Sequence, residues 1–280
     1  MQEVYIATIA AKDLYGVVGS LEKMVEDYGC KLVFTHKGLS VVAVNSANTM
    51  MVTLDVDYIA LKAKGQPDIT VGIDCLWQIA KFLSPGKKSG APVKITIMEE
   101  PCRIAKEGNN CPNAEDPVPM VRKMRLRYDV IPGANVKADF GLVDPEVIRR
   151  DFKVPEVQLQ SIWYVPAAHL KNMLNLATFR KGKVALEITD QMAHLITLDA
   201  AGQQDAWFSL GSEYASAYQS NPKECLTLFD PAYLKNALTY APAKAQICLE
   251  NNSEYPIRMS YSLAAGIKVS YFLAPRIEQE

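Results

Sequence analysis

YPIRMSYSLAAGIKVSYFLAPRIEQE, residues 255–280, is the stretch that decides the fold. It predicts a strand led by Pro256, a turn, and a last strand that ends at Leu273. Ala274-Pro275 then stops the last strand, because proline has no backbone N–H and a fixed φ. The simplest interpretation of the tripeptide alone is that it ends the last strand, and the rest of the chain decides whether it does more.

The length, composition and charge of the chain limit the classes of protein to which it can belong. The chain has 280 residues, 49% of them apolar, which is enough for one large or two ordinary domains. It lacks an apolar run of the length of a membrane span, and its first residues lack the pattern of a signal peptide. We therefore expect no membrane contact, and we expect the six scattered cysteines to be reduced and mostly buried. A net charge of −1 argues against tight binding of nucleic acid through the whole surface, but not against a local basic stripe.

Four stretches of the chain repeat one pattern, an amphipathic helix followed by strands and a turn. They cover residues 11–44, 71–98, 165–199 and 228–261. Asp74 and Asp230 stand where each could cap a helix, and Pro231 follows Asp230 at a favoured first helical position. The order is module, module, connector, module, module, which predicts an α+β protein of two similar domains.

The domain boundaries follow from the irregular stretches. The N-terminal domain is predicted over 1–130 and the C-terminal domain over 158–280, with an exposed connecting loop at 131–157. The connector is rich in Pro, Gly and alternating charges, so we expect neither helix nor strand there. A second irregular stretch, 106–119, is predicted to be a loop inserted between two strands.

The outer faces of the predicted helices carry lysine. In the first helix Lys12 and Lys23 lie opposite Leu14 and Leu21, at about 100° per residue. In the second, Trp77 and Lys81 lie opposite Ile79. Weakly spaced lysines suit loose, sequence-independent contact with a phosphate backbone, although a single lysine is more often an ordinary solvated residue. The full set of predicted DNA-facing residues is Lys12, Lys23, Lys81, Lys87, Lys88, Lys171, Arg180, Lys181 and Lys235.

These residues together resemble the sliding DNA clamps of the proliferating cell nuclear antigen family. The C-terminal stretch is similar to the closing segment of that family, which ends aromatic-aromatic-Leu-Ala-Pro-basic-Ile-Glu. KGLSVVAVNSANTMMVTLDV and VGIDCLWQIAKFLS resemble the corresponding parts of its first domain. The chain departs from the family at Asn45 and Asn48, at Tyr15 and Gly16 where paired lysines are usual, and in its less acidic charge.

The resemblance implies the DNA clamp fold and a closed ring, usually of three subunits. Helices would line the hole around double-stranded DNA, sheets would form the outside, and sheet edges near 121–127 and 205–210 would join the subunits. DNA polymerase, clamp loader, flap endonuclease and ligase are the implied partners. No cofactor, metal or catalytic residue is implied. The compartment would be the one that holds DNA: the nucleus in a eukaryote, the cytoplasm or nucleoid in an archaeon, or the site of replication for a virus.

By the same resemblance the terminal Ala-Pro forms one wall of a pocket beneath the connector. The pocket receives a peptide with a Gln, an aliphatic residue and two aromatics. Carried over, its residues are Val44, Met51, Phe140, Leu142, Val143, Pro256, Phe272, Ala274 and Pro275.

Two alternatives stay open at this point. An enzyme is disfavoured because the chain has no phosphate-binding glycine loop and no GxSxG or HExxH pattern. The other alternative is a diverged checkpoint-type clamp subunit or one member of a heterotrimer, which the sequence alone does not separate from a homotrimer.

Overall fold

The computed structural model describes residues 2–25, 29–61, 64–65, 68–101, 120–131, 133–148, 152–155, 161–178, 183–188, 193–198, 204–210, 225–252 and 255–276. The predicted loop at 106–119 lies outside these residues. The chain divides into two compact units. The first comprises 1–22, 27–41 and 55–151, and the second comprises 23–26, 42–54 and 152–280.

The first half of the chain contains most of the helix and strand that its sequence pattern predicts. Its strands are β1 (Gln2–Ala10), β2 (Cys30–Thr35), β3 (Gly38–Val44), β4 (Met50–Asp57), β5 (Lys64–Gly65), β6 (Ile69–Ile73), β7 (Pro92–Pro101), β8 (Met120–Ile131) and β9 (Ala134–Leu142). Its helices are α1 (Ala11–Val25), α2 (Tyr58–Leu61) and α3 (Leu76–Leu83), with a 3₁₀ turn at Ser84–Gly86.

The second half repeats the pattern. Its strands are β10 (Ser161–Pro166), β11 (Lys183–Ile188), β12 (Ala193–Leu198), β13 (Gln204–Leu210), β14 (Cys225–Phe229), β15 (Gln246–Asn251), β16 (Ile257–Ala264) and β17 (Ile267–Leu273). Its helices are α4 (Ala167–Thr178) and α5 (Pro231–Leu238). The predicted C-terminal hairpin is confirmed as β16 and β17, joined by a turn in which Gly266 has a φ of 74°.

Antiparallel sheets and the helices packed on them form the core of each unit. In the first unit one sheet runs β5-β1-β7-β8-β9, and β2 pairs with both β3 and β6. In the second unit the orders are β10-β15-β16-β17 and β13-β12-β11-β14. Tyr5 and Phe34, with ring centroids 4.7 Å apart, lie in the first core, and Tyr261 and Tyr271 stack in the second.

Part of the connector forms a strand, contrary to the prediction. Residues 134–142 form β9, which pairs with β8 along its whole length in a hairpin whose turn includes Gly133 at a φ of 85°. The expectation that 131–157 lacks regular structure is therefore wrong over β9. Val136, Ala138 and Phe140 alternate with Lys137 and Asp139, a period-two pattern that the alternating charges obscured.

Of the two predicted helix N-caps, the structure confirms one and contradicts the other. Asp230 accepts a hydrogen bond from the Ala232 N–H at 2.9 Å and caps α5, as predicted. Asp74 does not cap α3, because the residue at that position is Cys75, which gives no side-chain hydrogen bond. The α3 helix therefore depends on its buried residues Leu76, Ile79 and Leu83.

Candidate nucleic-acid interface and peptide pocket

The lysines of α1 and α3 lie on the exposed sides of these helices. In α1 the side chains of Leu14, Val17 and Leu21 are buried, while Lys12 and Lys23 are exposed. The apolar stripe of α1 packs against the core, so the charged side of the helix is exposed to the solvent or to a ligand.

A loop brings two further lysines next to the start of α1. The backbone N–H groups of Ala11 and Lys12 donate to the carbonyls of Ala91 and Ser89 at 2.9 and 3.0 Å. A Cβ at Gly86 would lie 3.1 Å from the Cβ of Ala11, so the end of α3 also packs closely against this point. Exposed Lys87 and Lys88 therefore lie in the segment between the 3₁₀ turn and β7, which hydrogen-bonds to the start of α1.

The second unit presents Lys235 in a similar way. In α5 the side chains of Leu234, Ala237 and Leu238 are buried and Lys235 is exposed. A shallow cavity of about 230 Å³ lies between α4 and α5, and its lining includes Lys235 and Lys171.

Lys171 differs from the other predicted lysines. It is half-buried, and its Nζ donates to the carbonyl of Ala241 at 2.6 Å, which ties α4 to the segment after α5. Burial lowers the pKa of its ammonium. Lys171 therefore has a structural contact that the sequence analysis did not expect. Arg180 and Lys181 lie outside the described residues.

The C-terminal segment after β17 is held at two points. The Ala274 N–H donates to the carbonyl of Thr49 at 2.8 Å, and the Arg276 N–H donates to the carbonyl of Leu228 at 2.8 Å. The Arg276 guanidinium also pairs with Asp230, at 2.6 Å. The Ala-Pro step is thus a fixed part of the second unit.

Several predicted pocket residues lie beside this segment. The β16–β17 register ends with the pair Ile257 and Leu273, so Pro256 and Ala274 are the next residues beyond this end of the hairpin. The Asn45 N–H donates to the Met50 carbonyl at 3.0 Å, which closes the β3–β4 turn and places Val44 across from Met51. The side chains of Asn45 and Thr49 hydrogen-bond within this turn. The predicted residues that are partly accessible here are Val44, Met51, Pro256, Ala274 and Pro275.

Two predicted pocket residues are buried instead. Phe140 is 7% exposed and packs edge-to-face on Phe82, with ring centroids 5.8 Å apart. Phe272 is 6% exposed and lies opposite Arg258 in the β16–β17 register. Phe140 is thus part of the core of the first unit, and its place in the peptide pocket stays a prediction.

The other two connector residues line a cavity of the first unit. Val143 exchanges two backbone hydrogen bonds with Gly72, at 3.0 and 3.1 Å. Leu142, Val143 and Arg122 contribute to a cavity of about 420 Å³. Arg122 pairs with Glu99 at 2.5 Å and donates to the carbonyl of Thr70 at 3.1 Å, so the wall of this cavity is polar.

The two predicted sheet edges have different outcomes. Residues 204–210 form β13, a terminal strand of its sheet within the described residues, as an edge at 205–210 requires, and the subunit contact there stays a prediction. Residues 121–127 lie in β8, between β7 and β9, so they are not an edge. Within the described residues, β9 is the terminal strand on this side of the sheet, because the start of the connector adds one more strand than predicted.

The described residues contain no group of three or more His, Cys, Asp or Glu side chains that could hold a metal ion. Within the same part of the chain, no helix is long and apolar enough to cross a membrane. Cys30, Cys75 and Cys248 are free thiols, and burial raises the pKa of Cys30 to about 12.

The fold is the DNA clamp fold. The chain superposes with a TM-score of 0.81 on the Archaeoglobus fulgidus PCNA solved with the C-terminal region of FEN-1, covering 99% of this chain and 100% of that one at 20% identity. The PCNA of Entamoeba histolytica gives a TM-score of 0.78 at 16% identity over 99% of this chain and 100% of that one.

Curated relatives extend the similarity to sequence. The DNA polymerase sliding clamp of Methanothrix thermoacetophila is 27% identical over 274 residues, 98% of this chain and 99% of the relative. That of Natronomonas pharaonis is 25% identical over 277 residues, with the same coverage. No protein-family model matches the chain. The predicted resemblance to the sliding DNA clamps is thus confirmed over nearly the whole length of the chain.

Proposed function

We propose that this chain is a DNA sliding clamp, a processivity factor that encircles double-stranded DNA and holds replication and repair enzymes on it. The observation that carries the proposal is the match to curated sliding clamps over 98% of the chain, in a structure with the clamp fold. The chain acts by binding and by topology, and it catalyses no reaction.

The DNA contact is made by exposed lysines on the helices and in the loop after α3. Because they are separated and solvated, each contributes little, and their attraction to phosphate is screened within about 8–10 Å at physiological salt. Such contacts position a duplex without reading its sequence, which allows a ring to move along it. The residues we assign to this role are Lys12, Lys23, Lys81, Lys87, Lys88 and Lys235, with Arg180 and Lys181 retained as predictions.

The ring closes by pairing unlike sheet edges. Strands β9 and β13 are terminal strands of different sheets, so β9 of one copy can pair with β13 of the next. A head-to-tail contact of this kind closes into a ring, for which we propose a homotrimer. Light scattering on this chain expressed alone measures the mass, and a stable monomer at micromolar concentration would favour a heterotrimeric subunit.

Partner enzymes are held through a peptide that binds beside the C-terminal segment. Ala274 and Pro275 supply a rigid, donor-poor surface, and the hairpin residues Val44 and Met51 with Pro256 supply further apolar area. The contributions of Leu142 and Val143 remain predictions. DNA polymerase, clamp loader, flap endonuclease and ligase are the proposed partners, inside the cell and wherever its DNA is replicated.

The experiment that tests the function is polymerase extension on a singly primed circular template. With a clamp loader from a related archaeon, the protein should increase product length per binding event, and it should remain on closed circles but slide off linearised DNA. If the protein does not increase product length, or if it is retained equally on circular and linearised DNA, the proposal fails.

A further inference from the structure

Trp77 is an exposed aromatic residue on a helix that otherwise follows an ordinary amphipathic pattern. Its side chain is 52% exposed, whereas Leu76, Ile79 and Leu83 of the same helix are buried. Exposing half of an indole forgoes burial that usually stabilises a protein by about 25 cal/mol for each Å² of apolar surface. The packing of α3 therefore does not explain why Trp77 is exposed.

The surroundings of Trp77 are polar and mainly basic. Gln78 is exposed beside it, and exposed Lys81 lies one helical turn further along the same face. Lys87 and Lys88 follow at the end of the helix, next to the start of α1 with its exposed Lys12. Asp74, just before α3, adds one exposed carboxylate to this surface. The charge favours an anionic ligand, and the lack of neighbouring exposed apolar side chains on α3 disfavours an apolar protein partner.

An aromatic ring next to ammonium groups matches the two chemical parts of an unpaired nucleotide. In single-stranded DNA the face of the base is free to stack on an indole, while the phosphate is free to pair with lysine. In a duplex the base faces are already stacked on one another, so an indole reaches only sugar, phosphate and base edges. Of the two forms of DNA, the single strand uses both the ring and the charges.

We propose that Trp77 and Lys81 form a binding site for single-stranded DNA, in which the indole stacks on an unpaired base and the lysine pairs with an adjacent phosphate. Lys12, Lys87 and Lys88 extend the basic surface along the strand. The inference deepens the proposed function, on which it rests for the choice of DNA as ligand.

The test measures binding of dye-labelled oligo(dT) and of a blunt duplex of equal length by fluorescence anisotropy, without loader or polymerase. Four proteins are compared: the parent chain, Trp77→Leu, Trp77→Phe and Lys81→Gln. Leucine removes the stacking face and keeps apolar volume, phenylalanine keeps an aromatic face, and glutamine removes only the charge. Because short linear DNA needs no ring loading, failure here leaves the polymerase extension result intact.

We expect Trp77→Leu to weaken oligo(dT) binding about 5- to 140-fold, the range for loss of one stacked base, and to leave duplex binding unchanged. Trp77→Phe should recover most of the loss. Lys81→Gln should reduce the slope of log affinity against log salt by about 0.7, the value for one phosphate contact on a single strand, whereas Trp77→Leu should leave that slope unchanged.

Three results would overturn the proposal. The first is equal affinity of the parent and Trp77→Leu for oligo(dT). The second is an equal loss of single-strand and duplex binding in Trp77→Leu, which would make the residue a general backbone contact. The third is a change in the oligomeric mass of Trp77→Leu by light scattering, which would show that the indole contacts another copy of the chain.

Discussion

Asp230 anchors two structural features at once, and replacing it separates their contributions. Its Oδ1 accepts the Ala232 N–H at 2.9 Å and caps α5, which carries Lys235. Its Oδ2 accepts from the guanidinium of Arg276 at 2.6 Å, next to the proposed peptide site. We expect Asp230→Ala to loosen both the first turn of α5 and the C-terminal segment.

The magnitude follows from the two contacts. Loss of an N-cap side chain costs about 1 kcal/mol. The ion pair contributes about 0.2–1 kcal/mol, since the two side chains are 49% and 24% exposed and salt screens them. Asp230→Ala should therefore cost about 1.5 kcal/mol locally. Asp230→Asn should cost only the ion-pair part, because asparagine caps a helix as well as aspartate does.

Hydrogen exchange followed by mass spectrometry measures these local effects. A loss of about 1.5 kcal/mol corresponds to roughly tenfold faster exchange in the peptide that contains the start of α5. Asp230→Asn and Arg276→Gln should each give less than about fivefold. Exchange in α3 is the internal control and should not change. If Asp230→Asn accelerates exchange in α5 as much as Asp230→Ala does, the cap contributes nothing and the reasoning is refuted.

Three further predictions concern DNA, peptide and pH. Replacing four helix lysines with alanine should shorten the retention time on circular DNA and flatten its salt dependence, while replacing four exposed strand and turn lysines should change neither. Equal retention times for the two variants would contradict the helix-face assignment. The first set is Lys12, Lys23, Lys81 and Lys235, and the control set is Lys37, Lys94, Lys137 and Lys268. Ala274→Glu should abolish the binding of peptides that carry Gln, an aliphatic residue and two aromatics, measured by calorimetry, because it places an unpaired charge and extra volume at the proposed contact. The oligomeric mass should stay the same, and an unchanged peptide affinity would place the pocket elsewhere. The Arg125 guanidinium beside Asp139, at 2.6 and 2.7 Å, holds the pKa of that carboxyl below its usual range, so the pair stabilises the β8–β9 hairpin above about pH 4 and loses its effect as the pH falls through the folded-state pKa. Asp139→Asn should therefore be less stable than the parent at pH 7 in thermal unfolding, and the difference should shrink as the pH falls through the lowered folded-state pKa of Asp139. A difference that is still full after this carboxyl is protonated would exclude the charge as its cause.

Local patterns in the sequence were sufficient for most helices and for the terminal hairpin. The buried stripe of α1, with Lys12 and Lys23 opposite, is visible from helical spacing alone. The cap at Asp230 and the strand ending at Ala274 are likewise local, because a side chain bonds to its own helix start and a proline ends its own strand. The apolar-polar alternation of Val136, Ala138 and Phe140 was also present, and it could have predicted β9.

Contacts between residues far apart in sequence were decided by the tertiary structure alone. On one side of the first sheet the terminal strand is β9 and not β8, because the connector folds back and pairs with β8. The residue pattern of β8 itself does not show which neighbours that strand has. Phe140 became a core residue because α3 brings Phe82 against it, and Lys171 became a structural residue because Ala241 offers it a carbonyl 70 positions away. The sequence by itself determined the elements and the faces they expose, since these depend on spacing within a few turns or pleats. Long-range packing decided which of these faces became sheet edges, core or candidate sites. Local residue spacing does not encode that packing.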